Sequence, residues 1–266
     1  MKKLLIISLI GISCHYTNQS TQSSIKRKLI FENTFEDSKA LGEWQSEITP
    51  PNSIDRFPAP KKDNNYCVKF TIKKLDTLSG SGYRAELKGS EIPIDSERWY
   101  GLSVFLPESY ITDTIPESFI QWHNMPNFKR GESWARYKFQ NPFRIETRNG
   151  RFYFVHQFST IPEDANSPIA SKSYDLGPYQ TDKWTNWVIH FKLSYKSDGL
   201  FEIWKDGKKA LALKGHNYYN DDSGPYLKLG LYKWGFLESA LKERTVYIDD
   251  MRIGNELAVY KDVAPN

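Results

Sequence analysis

Cysteine is scarce. The 266 residues hold only Cys14 and Cys67, and no pair or cluster has the spacing of a zinc site. Neither a phosphate-binding loop nor a glycine-rich dinucleotide turn occurs, so no nucleotide cofactor is expected. No apolar run is long enough to cross a bilayer; the longest, Leu4–Ile12, falls well short of the roughly twenty residues a spanning helix needs. Charge imbalance is also missing. Lys and Arg total 36 against 32 Asp and Glu, a formal +4. With no basic cluster or nucleic-acid motif, that excludes a nucleic-acid partner. Long helical periodicity is nearly absent; Phe236–Lys242 alone suggests one short helix.

What is abundant is aromatic surface: 15% of residues, with 16 Tyr, 15 Phe and 8 Trp. That composition favours strands and suits sugar-stacking faces.

The first fourteen residues read as an export signal, with Lys2 and Lys3 ahead of the apolar stretch and small residues at its end. Gly11-Ile12-Ser13-Cys14 resembles a bacterial lipobox, with Gly11 where Leu is usual, which makes Cys14 the candidate lipidation site; plain secretion is the alternative. Removing Lys2 and Lys3 leaves 4 − 2 = +2. Residues 15–27 are rich in Ser, Thr, Gln and Asn and read as a flexible tether. Residues 28–266 read as one domain. The expected location is the cell envelope or outside the cell, with membrane contact only through the lipid, and the expected state is a monomer. Cys67 alternates with Val68, Phe70 and Ile72, so a strand bystander is expected there.

Short alternating segments and turn signals recur from Lys28 onward. Asn149-Gly150 and Asp206-Gly207 each separate two such segments, the strongest short-range hairpin signal. Trp187, Ile189, Phe191, Leu193 and Tyr195 alternate with more polar residues. Many short strands with close turns predict an all-β jelly roll: two antiparallel sheets, the concave one offering a groove.

Three segments carry chemistry. In a strand, successive side chains point to opposite faces. Arg84 and Glu86 in Tyr83–Leu87 therefore share a face. Gln121 and His123 do so in Ile120–His123, and Lys228 and Tyr232 in Tyr226–Trp234. Leu227, Leu229 and Leu231 point the other way, into a core. An Arg, a Gln, a His, a Lys and a Tyr on one floor suit an acidic sugar. The C5 proton of a uronic acid lies next to a carboxylate and is poorly acidic. Its removal builds charge on that carboxylate, which Arg and Gln donors can offset. A neutral His, or a Tyr with a lowered pKa, can take the proton, and a Tyr hydroxyl can give one to the leaving O4. The expectation is that all five converge on one sugar unit. Lys228, about 13 Å along an ideal strand from Tyr232, is read as binding a neighbouring acidic sugar or shaping the field. Glu86 is read as orienting Arg84, although a plain Arg84–Glu86 ion pair is the bland alternative. Trp234 shares the face of Tyr232 and is a candidate sugar platform. Gly230 is read as leaving room for substrate. His156, His190 and His216 lack such a setting and read as structural or surface.

These segments resemble the family 7 alginate lyases in their Arg-x-Glu-Leu, Gln-x-His and Lys-x-Gly-x-Tyr patterns. They resemble still more the heparin lyase I-like group, which includes glucuronan lyases. There the Gln-Trp-His segment and an Asp-Asp strand like Tyr247–Gly254 recur. The resemblance covers roughly residues 30–255. It implies a β-jelly roll that cleaves acidic polysaccharide by β-elimination, with His123 as base, Tyr232 as acid, and Arg84 and Gln121 on the carboxylate. In some such lyases the Tyr does both jobs, and the choice stays open. Lys88 stands where the alginate enzymes carry a second Arg and is a candidate substrate contact. Lys233-Trp234 replaces their Asn-Gln. No cofactor is required for this chemistry. Asp221 and Asp222 lie where heparin lyase I-like proteins hold structural calcium; together with Asp249-Asp250 they are candidate oxygen ligands, against a plain polar turn. A non-catalytic carbohydrate-binding jelly roll and an alginate lyase are the alternatives. A jelly-roll hydrolase would need two facing carboxylates, and no Glu-x-Asp-x-x-Glu strand is present.

Overall fold

The computed structural model describes residues 28–48, 50–74, 82–162 and 167–265. The export signal, Cys14 and the tether at 15–27 lie outside them.

Among the described residues sixteen strands follow one another: β1 Leu29–Asn33, β2 Gln45–Ile48, β3 Ser53–Pro58, β4 Tyr66–Lys73, β5 Tyr83–Glu91, β6 Glu97–Leu106, β7 Glu117–His123, β8 Phe143–Arg148, β9 Arg151–Pro162, β10 Ala170–Pro178, β11 Lys183–Lys192, β12 Leu200–Lys205, β13 Lys208–Lys214, β14 Tyr219–Asn220, β15 Tyr226–Lys233 and β16 Glu243–Gly254. One sheet runs β13-β12-β11-β6-β16-β4-β3, with β1 also on β16. The second runs β10-β9-β8-β7-β15-β5-β2, with the short β14 pairing parallel to β9. All other pairings are antiparallel. This is the two-sheet jelly roll the sequence predicts.

The alternation explains the packing. Trp187, Ile189, Phe191 and Leu193 are fully buried, as are Leu229 and Leu231 from the facing sheet. They join Phe70, Trp122, Phe143 and Phe201 in one apolar core between the sheets. Both hairpins form where expected. Asn149 and Gly150 have φ of 51° and 77°, and Asp206 and Gly207 have 49° and 77°. Positive φ at both central residues matches the strand twist. Cys67 is buried on β4, and burial lifts its thiol to about 12, so it packs as an inert apolar group. The short helix expected over Phe236–Lys242 shrinks to one 3-10 turn, Phe236–Glu238. Phe236 is buried edge-on against Tyr83, so one aromatic anchor, not an apolar helical stripe, sets that turn.

The buried face of β15 is punctuated by a distortion. The pairing of β15 with β7 shifts register between Leu229 and Tyr232, and Gly230 between them has φ 136°. A Cβ on Gly230 would sit 2.3 Å from the Ala85 carbonyl oxygen and 2.7 Å from the Phe70 ring. Gly230 is therefore required by the core and by its backbone angle. The expectation that it leaves room for substrate is corrected.

Candidate active site

The outward face of β5, β7 and β15 carries the expected residues. Register puts Tyr232 opposite Arg84 and Lys228 opposite Lys88 on one side. On the other it puts Lys228 opposite Gln121 and Tyr226 opposite His123. All lie on one sheet, because β5 and β7 both pair with β15.

At the centre is an ion cluster around Glu86, which is buried. Lys228 Nζ lies 2.8 Å from Glu86 and 2.7 Å from Glu47 of β2. Arg84 lies 3.0 Å from Glu47 and 3.9 Å from Glu86. Two cations thus face two carboxylates. Burial opposes the charge on Glu47, but Lys228 and Arg84 outweigh it and hold its carboxyl below the usual range. Likewise burial would weaken Arg84, yet the charges of Glu86, Tyr232 and Glu47 raise its pKa. Lys228 is only 1% exposed. Its reading as a grip on a neighbouring sugar is corrected, because its ammonium is enclosed by carboxylates; what it contributes is field and support for Glu86. Glu86 lies 3.9 Å from Arg84, an ion pair and no closer, while Glu47 at 3.0 Å is the nearer carboxylate; Glu86 accepts a hydrogen bond from Gln121.

The orientation of Gln121 follows from its partners. Glu86 can only accept, so Gln121 Nε2 faces it at 2.5 Å, and Gln121 Oε1 accepts from Asn141 Nδ2 at 2.9 Å. Gln121 is buried, with one amide hydrogen beyond these bonds.

His123 stands at one flank of the cluster. Its Nδ1 is 2.7 Å from the Asn124 carbonyl oxygen. A carbonyl only accepts, so Nδ1 carries the hydrogen and Nε2 keeps a lone pair. Burial pushes the imidazole down to about 4, against a smaller upward effect of the Asn124 bond, and Lys228 and Arg84 push the same way as burial. His123 is thus neutral near pH 7, as a base must be. Trp134 and Tyr226 lie 5.6 Å from it, ring centre to ring centre.

Tyr232 stands at the other flank. Arg84 lies over its ring at 4.6 Å, and Trp234 packs beside it at 5.6 Å. Burial raises its pKa, with Arg84 opposing, so the phenol holds its proton at neutral pH. The idea of a Tyr with a lowered pKa is corrected: desolvation outweighs the cations. Gly82 sits underneath, where a Cβ would come 2.9 Å from Tyr232 Cε2. Trp234 is 37% exposed, with Arg144 over its ring at 5.1 Å.

The convergence is looser than expected. Tyr232 pairs with Ser118 and His123 with Tyr226. The two pairs are five steps apart along β7, from Ser118 to His123, a backbone offset of about 16 Å. His123 and Tyr232 flank the ion cluster from opposite ends.

Several residues escaped the sequence reading. Tyr226 is 4% exposed, and its hydroxyl has no hydrogen-bond partner among the described residues. Lys88 covers its ring at 4.4 Å and has no carboxylate partner among the described residues. A pocket of about 580 Å³ opens beside this pair, with Trp44, Tyr100 and Met125 in its wall. Arg144 and Arg148 share the buried Glu146, at 2.7 and 3.5 Å. The Arg-Ile-Glu-Thr-Arg alternation of β8 signals that row; Glu47 and the loop-borne Trp134 give no periodic signal.

The expected calcium ligands do not fit a cation. Asp221 Oδ1 accepts from the backbone N–H groups of Asp222 and Ser223 at 2.6 and 3.2 Å. Its Oδ2 accepts from Tyr137 and from Asn124. Asp222 is paired with Arg130. Asp249 and Asp250 are bridged by Lys62 at 2.6 and 3.0 Å. These oxygens face hydrogens, whereas a metal needs free lone pairs.

A neutral, desolvated imidazole, a protonated phenol and an arginine thus share one sheet face of a two-sheet jelly roll. The family model described as polysaccharide lyase matches residues 31–252. The chain belongs to that polysaccharide lyase family. Among solved structures it is similar to an endo-β-1,4-glucuronan lyase from the fungus Trichoderma reesei, at 18% identity over 90% of this chain and 99% of that one, TM-score 0.75. It is similar to the alginate lyase Aly36B at 13% identity over 85% and 96%, TM-score 0.56. It also resembles the marine PL-14 alginate lyase from Aplysia kurodai at 10% identity over 86% and 100%, TM-score 0.56. No curated protein matches the chain. Among the described residues, no helix is long and apolar enough to cross a membrane.

Proposed function

We propose that this lyase cleaves a uronic-acid polysaccharide by β-elimination, with His123 as base, Tyr232 as acid, and Arg84 with Gln121 on the sugar carboxylate. The observation that carries the reading is the bond from His123 Nδ1 to the Asn124 carbonyl. It leaves Nε2 as a proton acceptor on the floor that holds Arg84. His123 Nε2 takes the C5 proton. The electron pair moves into the C4–C5 bond as the C4–O4 bond breaks. The phenol protonates the departing O4, and a 4,5-unsaturated sugar end remains. Arg84 offsets the charge that builds on the carboxylate meanwhile.

C5 and O4 sit on neighbouring atoms, so base and acid must close on one ring. The register favours a second reading for the acid alone: Tyr226, directly opposite His123, with burial raising its pKa. Lys88 and Trp234 are then contacts for sugars on either side. A glucuronan-like or heparin-like polymer fits the likeness to the glucuronan lyase better than alginate does, at TM-scores of 0.75 and 0.56. The protein acts as a monomer, anchored through Cys14 or secreted.

The test incubates the purified protein with glucuronan, heparin, alginate and ulvan, following ultraviolet absorbance of the unsaturated product. Absorbance growth is expected on one or more. Binding without absorbance would leave a carbohydrate-binding protein, and new reducing ends without absorbance would indicate hydrolysis.

A further inference from the structure

The donor-filled Asp221 is joined to the catalytic base through one residue. Asn124 follows His123 directly and is fully buried. Its carbonyl receives His123 Nδ1–H, and every other polar group of Asn124 is held. The backbone N–H donates to the Gln140 carbonyl at 2.7 Å. Oδ1 lies 2.7 Å from the Tyr218 hydroxyl, whose single proton is shared between it and the Ser223 carbonyl at 2.8 Å. Nδ2 donates to the Tyr137 hydroxyl at 3.2 Å and to Asp221 Oδ2 at 3.4 Å. Tyr137 in turn donates to Asp221 Oδ2. Asp221 Oδ1 closes its own turn onto the N–H groups of Asp222 and Ser223. An aspartate on one loop thereby fixes the amide of a residue on another, and that residue's carbonyl fixes the imidazole.

We propose that Asp221 is a positioning residue: its carboxylate holds Asn124 so that the Asn124 carbonyl keeps His123 in the Nδ1–H tautomer with Nε2 toward the substrate. A carboxylate is needed because Tyr137 O–H and Asn124 N–H both donate to one oxygen. An amide there presents either one acceptor oxygen, with loss of the turn bonds, or an NH₂ group pointed at two donors. The wrong tautomer of a catalytic imidazole is a severe defect even where geometry is kept. The donors from Tyr137, Asn124 and two backbone amides take up the Asp221 oxygens that a calcium ion would use.

The kinetic half of the test rests on His123 being the base, but the spectroscopic half does not. In wild-type protein with ¹⁵N-labelled histidine, free of substrate, the His123 signals should show protonated Nδ1 and bare Nε2. Asp221→Asn should redistribute those signals and lower kcat at least tenfold, with KM changed less than threefold. Asn124→Ala should do the same. Asp221→Glu, which keeps the acceptor charge, should restore part of kcat. Dialysis against a chelator should leave wild-type kcat unchanged. The inference is overturned if wild-type His123 carries its hydrogen on Nε2, or if folded Asp221→Asn keeps both the wild-type tautomer and kcat. It is equally overturned if chelation abolishes activity and calcium restores it. If the variants do not fold, the wild-type tautomer and the chelator result still decide. If no polymer is cleaved at all, the function fails while the tautomer measurement continues to judge the brace.

Discussion

Arg84 lies 4.6 Å over the ring of Tyr232 while its Nη1 lies 3.0 Å from Glu47. One guanidinium thus touches the phenol and shares the carboxylates that hold Lys228. A planar cation can stack on a ring and keep its edge for oxygens, which an ammonium cannot do as well. Arg84→Ala should therefore lower kcat by roughly 10²–10³, about 3–4 kcal/mol of transition-state stabilisation by analogy with loss of an oxyanion donor. Arg84→Lys should recover only a small part. Steady-state kinetics on the cleaved polymer checks this. A rise in KM with kcat unchanged would show that Arg84 binds ground state and transition state alike.

The two phenols on β15 can be told apart. Tyr232 lies beside Arg84, and Tyr226 lies opposite His123. Removing the hydroxyl of the true acid should abolish turnover. Removing the other should cost far less, because each ring would keep its packing against Arg84 or Lys88. Tyr232→Phe and Tyr226→Phe, each verified as folded by near-ultraviolet circular dichroism, should give one dead and one active enzyme. Tyr232→Phe should be the dead one. Activity near wild type in Tyr232→Phe, with loss in Tyr226→Phe, would move the acid to the register partner of the base.

Lys228 should matter for stability before catalysis. Its ammonium is enclosed with Glu86, both 1% exposed and 2.8 Å apart. Truncating one member of such a pair strands a buried charge and costs about 3–5 kcal/mol. Lys228→Met should lower the urea midpoint strongly. Lys228→Met combined with Glu86→Gln should recover part of the loss, since the stranded carboxylate is gone. A single variant as stable as wild type would mean that water reaches Glu86 more freely than its burial implies.

The sheet architecture was legible because period-2 alternation and two Xaa-Gly turns are local signals. Leu227, Leu229 and Leu231 point inward, and Lys228 and Tyr232 outward, from spacing alone. The same spacing misjudged reach. It treats a strand as unbroken, whereas the shift between Leu229 and Tyr232 slides the end of β15 against β7. It also cannot say what fills the space above a side chain. Lys228 looked available because it faces outward, yet Glu47 arrives from β2 to cover it. Tyr226 looked like the start of a strand, and only the pairing with β7 sets it against His123. The aspartates suggest a metal by composition, but besides the neighbouring backbone amides of Asp222 and Ser223 the hydrogens aimed at them come from Tyr137, Asn124, Arg130 and Lys62, far away in sequence.

Two histidines should make the fold and the activity respond to acid in separable ways. His156 is buried, neither ring nitrogen has a partner, and burial, aided by Lys172, pushes it down to about 4. The unfolded chain takes up that proton near 6.5, and the folded chain refuses it until about 4. The unfolded state therefore binds more protons between these values, and stability rises with pH across the window. The contribution is complete above 6.5 and lost as pH falls toward 4. Between pH 7.5 and 4.5 the loss should be roughly 2–3 kcal/mol for this one group, at 1.36 kcal/mol per pKa unit. His156→Phe should remove that portion of the acid dependence, read as a smaller shift of the urea midpoint between the two pH values. His123, lowered to about 4 by burial and by Lys228 and Arg84, adds a slope of the same sign, but it also sets the acid limb of kcat/KM. That limb should have its midpoint near pH 4 in wild type and stay there in His156→Phe. A midpoint near 6.5 would mean that the base is solvated as an ordinary imidazole. An unchanged stability slope in His156→Phe would mean that the buried ring already carries its proton in the native state.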